Sequence, residues 1–268
     1  MVEFDHVIDI ESGFEARSYY LYPITIEQKP VVVIAFAGSQ DRDFAKDWFE
    51  TNLNPFQSAD RQYGKAKEYT LKTLERDDVR DKNVVLTGIS LGGALAVHVL
   101  RDPRLEPKIS EVWAFNPSPR IFAEGKPTQV MKDKTWLVVA NGEVLTWLRS
   151  PTGRFFVRVP GMGDIEARED QTASYKIVKS HPVYAHFRWS VVRQMLWAAD
   201  YESVHEKGQP TLWTEPISIL KNSEFKTCDR EKDKYPVDLE LQPNDLGPFY
   251  GLEVKGWPQP TFKNRPSL

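Results

Sequence analysis

Cysteine is almost absent from this chain of 268 residues: Cys228 stands alone. No internal disulfide can form, so the fold must be held by a packed core, and a single thiol fits a reducing compartment. The opening residues, Met1-Val2-Glu3-Phe4-Asp5-His6, lack a basic segment followed by an apolar run. No secretory signal is expected from them, and a cytoplasmic location is. No apolar stretch reaches the roughly 18 to 20 residues of a membrane span. Basic clusters are missing as well: 35 lysines and arginines are scattered among 38 acids, for a net charge of −3. That balance argues against a nucleic-acid partner. The five histidines are dispersed, so no zinc-ligand spacing appears and no metal is expected. Gly88 to Gly93 lacks the lysine of a phosphate loop, and no cofactor is expected.

What the chain has is enough apolar material for a large core. Hydrophobic residues make up 41% of it, and one domain of ordinary α/β size accounts for most of the length. Phe14 to Tyr22 reads as an extended edge element, with His6 lying ahead of the sheet. Val31 to Ala37 is an uninterrupted β-branched and apolar run, which predicts a strand buried on both faces. A short helix is predicted from Phe44 to about Asn52, broken at Asn54-Pro55. Arg61 to Asp77 predicts a helix with Tyr63, Ala66, Thr70 and Leu74 on one face. Further strands are predicted at Asn83–Thr87, Glu111–Phe115, Thr135–Ala140, Phe155–Val157 and Tyr175–Val178, and helices over Leu91–Arg101 and onward from Pro182. Strands alternating with helices imply a mostly parallel central sheet with helices on both faces, an α/β fold. Residues 1–200 form this domain. From about Tyr201 prolines and charges dominate and periodicity fades, so 201–268 reads as an irregular extension, packed on the domain or partly mobile.

The strongest local signal is Gly88-Ile89-Ser90-Leu91-Gly92, between a predicted buried strand and a predicted helix. It matches the G-x-S-x-G turn in sequence and in context. A serine on so sharp a turn is lifted above the sheet, and small residues on either side let backbone segments approach closely. The start of the following helix offers N–H groups to a developing oxyanion, first among them that of Leu91. Such a serine needs a base late in the chain. His6, His98 and His205 are poorly placed by order or by helix position. His181 and His186 are left, His181 in a loop at a strand end and His186 inside a helix.

Gly88-Ile89-Ser90-Leu91-Gly92-Gly93-Ala94-Leu95-Ala96 resembles the nucleophile segment of the class 3, fungal-type lipases. Upstream, Phe36-Ala37-Gly38-Ser39 resembles the family's Phe-Arg-Gly-Thr/Ser strand end, and Asp47-Trp48 its polar stretch with a tryptophan. Downstream, Phe115-Asn116-Pro117-Ser118-Pro119-Arg120 resembles its Pro-Arg strand end. The likeness covers roughly residues 14 to 200. Ile89 stands where the family usually has histidine, and Ala37 where it has arginine. The resemblance implies an α/β-hydrolase, with Ser39 joining Leu91 in the oxyanion hole. It favours His181, which precedes Tyr184 by three residues, as the base. It implies Glu143 as the triad acid, where the family usually has aspartate, with Asp164 and Asp133 as rivals. Phe44 and Trp48 would line an acyl pocket under a half-charged lid. The expected activity is hydrolysis of a carboxylic ester with a lipid-like acyl group, with at most transient contact with a membrane surface. An acyltransferase or thioesterase on the same triad, or a hydrolase-shaped binding protein without turnover, are the alternatives. The sequence does not set the oligomeric state.

Overall fold

A computed structural model of the chain describes residues 1–22, 30–38, 59–123, 125–140, 143, 145–149, 161–175, 186, 191, 192 and 195. Outside these lie the predicted elements over 44–52 and 155–157, Ser39, Phe44, Trp48, His181, His205 and the extension 201–268. Two compact units divide the chain, essentially Met1–Ser174 and Tyr175–Phe262. In the second, His186, Val191, Val192 and Met195 are helical, and His186 and Val191 are buried.

The first unit is built on one sheet. Its strands are β1 (Val2–Asp9), β2 (Phe14–Leu21), β3 (Val31–Phe36), β4 (Asn83–Ile89), β5 (Glu111–Phe115), β6 (Thr135–Ala140) and β7 (Thr172–Tyr175), side by side in chain order. β1, β2 and β3 pair antiparallel, whereas β3 with β4, β4 with β5 and β5 with β6 pair parallel. The helices of this unit are α1 (Ala59–Leu74), α2 (Leu91–Leu100), α3 (Gln129–Asp133) and α4 (Thr146–Arg149). This is the expected α/β fold with a mostly parallel centre. Among the described residues no helix is long and apolar enough to cross a membrane.

Two expectations about the N-terminal part need correction. β2 is not an edge: β1 covers its outer side, and His6 lies within β1, paired with Arg17. Acids at Glu3, Asp5 and Asp9 hide β1 from a search for apolar runs. An edge strand tolerates them because its residues are half-buried or exposed and its charges find partners, as Glu3 does on Arg17. The central strands also differ from a strand buried on both faces. Val32, Ile34 and Phe36 are buried while Val31, Val33 and Ala35 are only half-buried, and β4 and β5 alternate in the same way. On the half-buried face Trp113 and Trp136 sit opposite each other in register and stack at 4.9 Å.

The buried face meets α1 and α2. The core includes Ile34, Leu86, Leu95, Leu100 and Ile121, all essentially inaccessible; each stabilises the fold by about 1.5–3 kcal/mol relative to exposure. Tyr63, Ala66, Thr70 and Leu74 form the buried stripe of α1, as the 3.6-residue period predicts. α2 is buried from Gly92 to Leu100, so it has no polar face. Its one titratable member, His98, is absorbed by packing: Nδ1 lies 2.7 Å from the carbonyl of Ile121, and the ring meets Tyr63 edge-on.

Burial, helped by the nearby Lys67 charge, pushes the His98 imidazole down to about 4 from 6.5. Unfolding therefore takes up a proton between these values. The contribution of neutral His98 is complete above pH 6.5, falls as the pH drops, and is gone below about 4. Urea unfolding of wild type and His98→Gln should thus show a stability gap that narrows by about 2–3 kcal/mol from pH 7 to pH 4. A gap constant with pH would mean that His98 is not buried as a neutral base.

Candidate active site

β4 enters a turn that only small neighbours allow. Ser90 sits at φ 56°, ψ −121°, a backbone region that costs a residue with a side chain about 1–3 kcal/mol. Three bonds hold it there. Ser90 N–H donates to Phe115 O at 2.9 Å, and Ser90 O accepts from Ala94 N at 3.1 Å and Ser118 N at 2.9 Å. The turn is thereby fastened to the end of β5 on one side and to the first turn of α2 on the other. A Cβ on Gly88 would run into the backbone of Gly92, and one on Gly92 into the carbonyl of Phe36. Gly38 lies against the same turn: a Cβ there would stand 2.9 Å from Ile89 O and 3.6 Å from the Ser90 Cβ. The end of β3, just before Ser39, thus abuts the serine. Leu91 opens α2, and a first helical residue has no intrahelical acceptor for its N–H. Ser90 itself is 8% exposed.

The end of β5 is equally constrained. Asn116 is fully buried at φ 39°, a conformation asparagine tolerates better than most residues. Its N–H donates to Val138 O at 2.8 Å, and its side-chain oxygen accepts from Ala140 N at 2.7 Å. These two bonds lock the carboxyl ends of β5 and β6 together, just ahead of Glu143. Arg120 packs its guanidinium over Phe122 and its backbone oxygen accepts from the Tyr63 hydroxyl.

Glu143 is a buried carboxylate, its side chain entirely shielded. Oε2 accepts from Leu145 N at 2.9 Å, while Oε1 accepts from the Thr146 hydroxyl at 3.3 Å and from the Arg149 guanidinium. The rivals are elsewhere. Asp133 ends α3 ahead of β6, at the wrong end of that strand, with Gln129 and Arg168 beside it. Asp164 and Glu166 act electrostatically on Arg101, which caps the far end of α2, roughly 16 Å along the helix from Ser90. The structure therefore brings Ser90, Leu91 and the end of β3 together, and sets Glu143 one loop beyond the bonded ends of β5 and β6. Arg149 was not foreseen. Nothing in its spacing from Glu143 marks a pair, because α4 is too short to show a period.

Ser90 stands at positive φ between a parallel central strand and a buried helix, the geometry of a nucleophile turn on an α/β sheet. Fungal lipases are among the solved structures similar to it. Lip2 lipase from Yarrowia lipolytica shares 13% identity over 69% of this chain and 68% of its own, with a TM-score of 0.38. A triacylglycerol lipase from Penicillium expansum shares 16% over 65% and 68%, with a TM-score of 0.37. MDLA from Penicillium cyclopium shares 18% over 64% and 66%, with a TM-score of 0.33. No family model matches the sequence, and no curated protein matches it.

Proposed function

We propose that the chain is a serine hydrolase that cleaves a carboxylic ester with a lipid-like acyl group through an acyl-enzyme on Ser90. The observation that carries this reading is the strained Ser90 turn itself. Residues between strand and helix rarely stand at φ 56° without a task, and this one is over-determined by three backbone bonds and by glycines that admit no substitute. In the proposed reaction Ser90 Oγ attacks the ester carbonyl while His181 takes the hydroxyl proton. Leu91 and Ser39 donate N–H bonds to the oxyanion. Collapse expels the alcohol, which takes the proton back from His181, and water then enters by the same route in reverse to release the acid. Glu143 orients His181 and stabilises its imidazolium. Its burial supports that role over that of a solvated turn acid. Phe44 and Trp48 are proposed to line the acyl pocket.

A fluorophosphonate probe tests the reading. Wild type should be labelled and Ser90→Ala should not, and an unlabelled wild type would refute the hydrolase reading outright. A nitrophenyl ester series of increasing chain length then sets the acyl class, and His181→Ala should lose turnover on all of its members. Transfer of the acyl group to an added alcohol in preference to water would move the activity to an acyltransferase on the same serine.

A further inference from the structure

Glu143 and Arg149 form a buried ion pair at a position where a serine hydrolase needs only a carboxylate. The side chain of Glu143 has no exposure and that of Arg149 is 14% exposed. Arg149 uses its fork twice: one nitrogen donates to Glu143 Oε1 and the other to Pro117 O, at 2.9 Å. Pro117 precedes Ser118, whose N–H holds Ser90 O. One guanidinium therefore joins the carboxylate to the strand end that fastens the Ser90 turn. Leu145 N, the Thr146 hydroxyl and the Arg149 guanidinium are among the donors that hold the Glu143 carboxylate.

Resting on the hydrolase reading above, we propose that Arg149 is a positioning residue for the triad: it fixes Glu143 against the end of β5 and tempers the negative charge that this carboxylate presents to the base. A bare buried carboxylate strongly favours an imidazolium beside it. A carboxylate already neutralised by a guanidinium favours it less, so the base sheds its proton at lower pH and the enzyme is active further into the acid range. Burial pulls the Arg149 guanidinium below its usual range, and the Glu143 charge opposes that pull. Glu143 is the charged group among the described residues that acts on it. Among the described partners of the pair, Leu145 N and the Thr146 hydroxyl on Glu143 and Pro117 O on Arg149 are neutral. Lysine does not reproduce this arrangement, because an ammonium cannot span carboxylate and carbonyl with one rigid fork.

The test is the pH dependence of kcat/KM on a short-chain nitrophenyl ester for wild type, Arg149→Gln and Arg149→Lys, with fluorophosphonate labelling to count competent sites. In Arg149→Gln the midpoint of the acid limb should rise by about half to one pH unit. In Arg149→Lys it should stay within a few tenths of a unit of wild type, while kcat falls several-fold at unchanged KM. An unchanged midpoint in a labelled Arg149→Gln overturns the proposal. If Arg149→Gln does not fold, Arg149→Lys decides: wild-type kcat with a wild-type midpoint overturns the proposal, and a lowered kcat with an unmoved midpoint supports it. Absence of labelling in wild type would instead remove the hydrolase reading beneath it, so the two failures are distinct.

Discussion

Ser90→Ala should lower kcat/KM on a nitrophenyl ester by about 10⁴-fold or more, with little change in the urea unfolding midpoint. The two halves of this expectation have separate causes. Losing the hydroxyl removes the proposed attacking atom, which neither the proposed oxyanion donors nor the proposed base can replace. The Ser90 hydroxyl does not cap α2, and the turn is held by backbone bonds that alanine keeps. Alanine also keeps the strain, because it too has a Cβ at φ 56°. Ser90→Gly removes both, and should be equally inactive yet more stable by about 1 kcal/mol. Turnover retained in either variant would strip Ser90 of its role. Equal stability of the two would mean that the backbone is not strained there.

The largest effect on folding is expected from Gly92→Ala. A single methyl group would collide with the carbonyl of Phe36, with Ala37 O and Phe36 C both at 2.9 Å. All of these are backbone atoms of β3 and the residue after it, so no rotamer change relieves the clash. Either β3 moves or α2 does, and both are central to the core. A cost above about 3 kcal/mol follows, a large fraction of the 5–15 kcal/mol that holds a typical domain together. Urea unfolding should show a sharply lowered midpoint, or the protein should fail to accumulate in folded form. Gly64→Ala is the internal control. It lies in α1 with nothing within 4 Å of its Cβ position, and should stabilise the protein by about 0.5–1 kcal/mol. A Gly92→Ala protein with a wild-type midpoint would show that β3 does not press on the serine turn.

Much of the fold was legible because burial writes itself into composition. β3, β4, β5 and β6 are apolar runs bounded by turn residues, and α1 carries its buried stripe at helical spacing. β1 was missed for the opposite reason: an edge strand with acids at Glu3, Asp5 and Asp9 looks like a solvated leader until its pairing with β2 is seen. α3 and α4, of five and four residues, are too short for any period. For α3, Thr128 could have flagged the start, since its hydroxyl accepts from Met131 N. The Ser90 turn was readable because steric crowding forces glycine at fixed offsets. The surroundings of Glu143 were not, because an ion pair between a loop residue and the last residue of a one-turn helix obeys no spacing rule. Arg149 could be found only once the ends of β5 and β6 were in place.

The strand order has a bearing on how the protein is made. Each strand from β1 to β6 lies beside the one synthesised just before it, so no strand has to wait for a partner encoded far downstream. Once Ala140 has left the ribosome, the described partners of the serine turn, Phe36, Ala94, Phe115 and Ser118 among them, are all present. His181 lies 41 residues beyond Ala140, about 2–8 s of translation at 5–20 residues per second. Through that interval a nascent chain would carry the Ser90 turn without His181, its proposed proton acceptor. The proposed chemistry would thus wait for His181, which is made after the strands that hold the Ser90 turn.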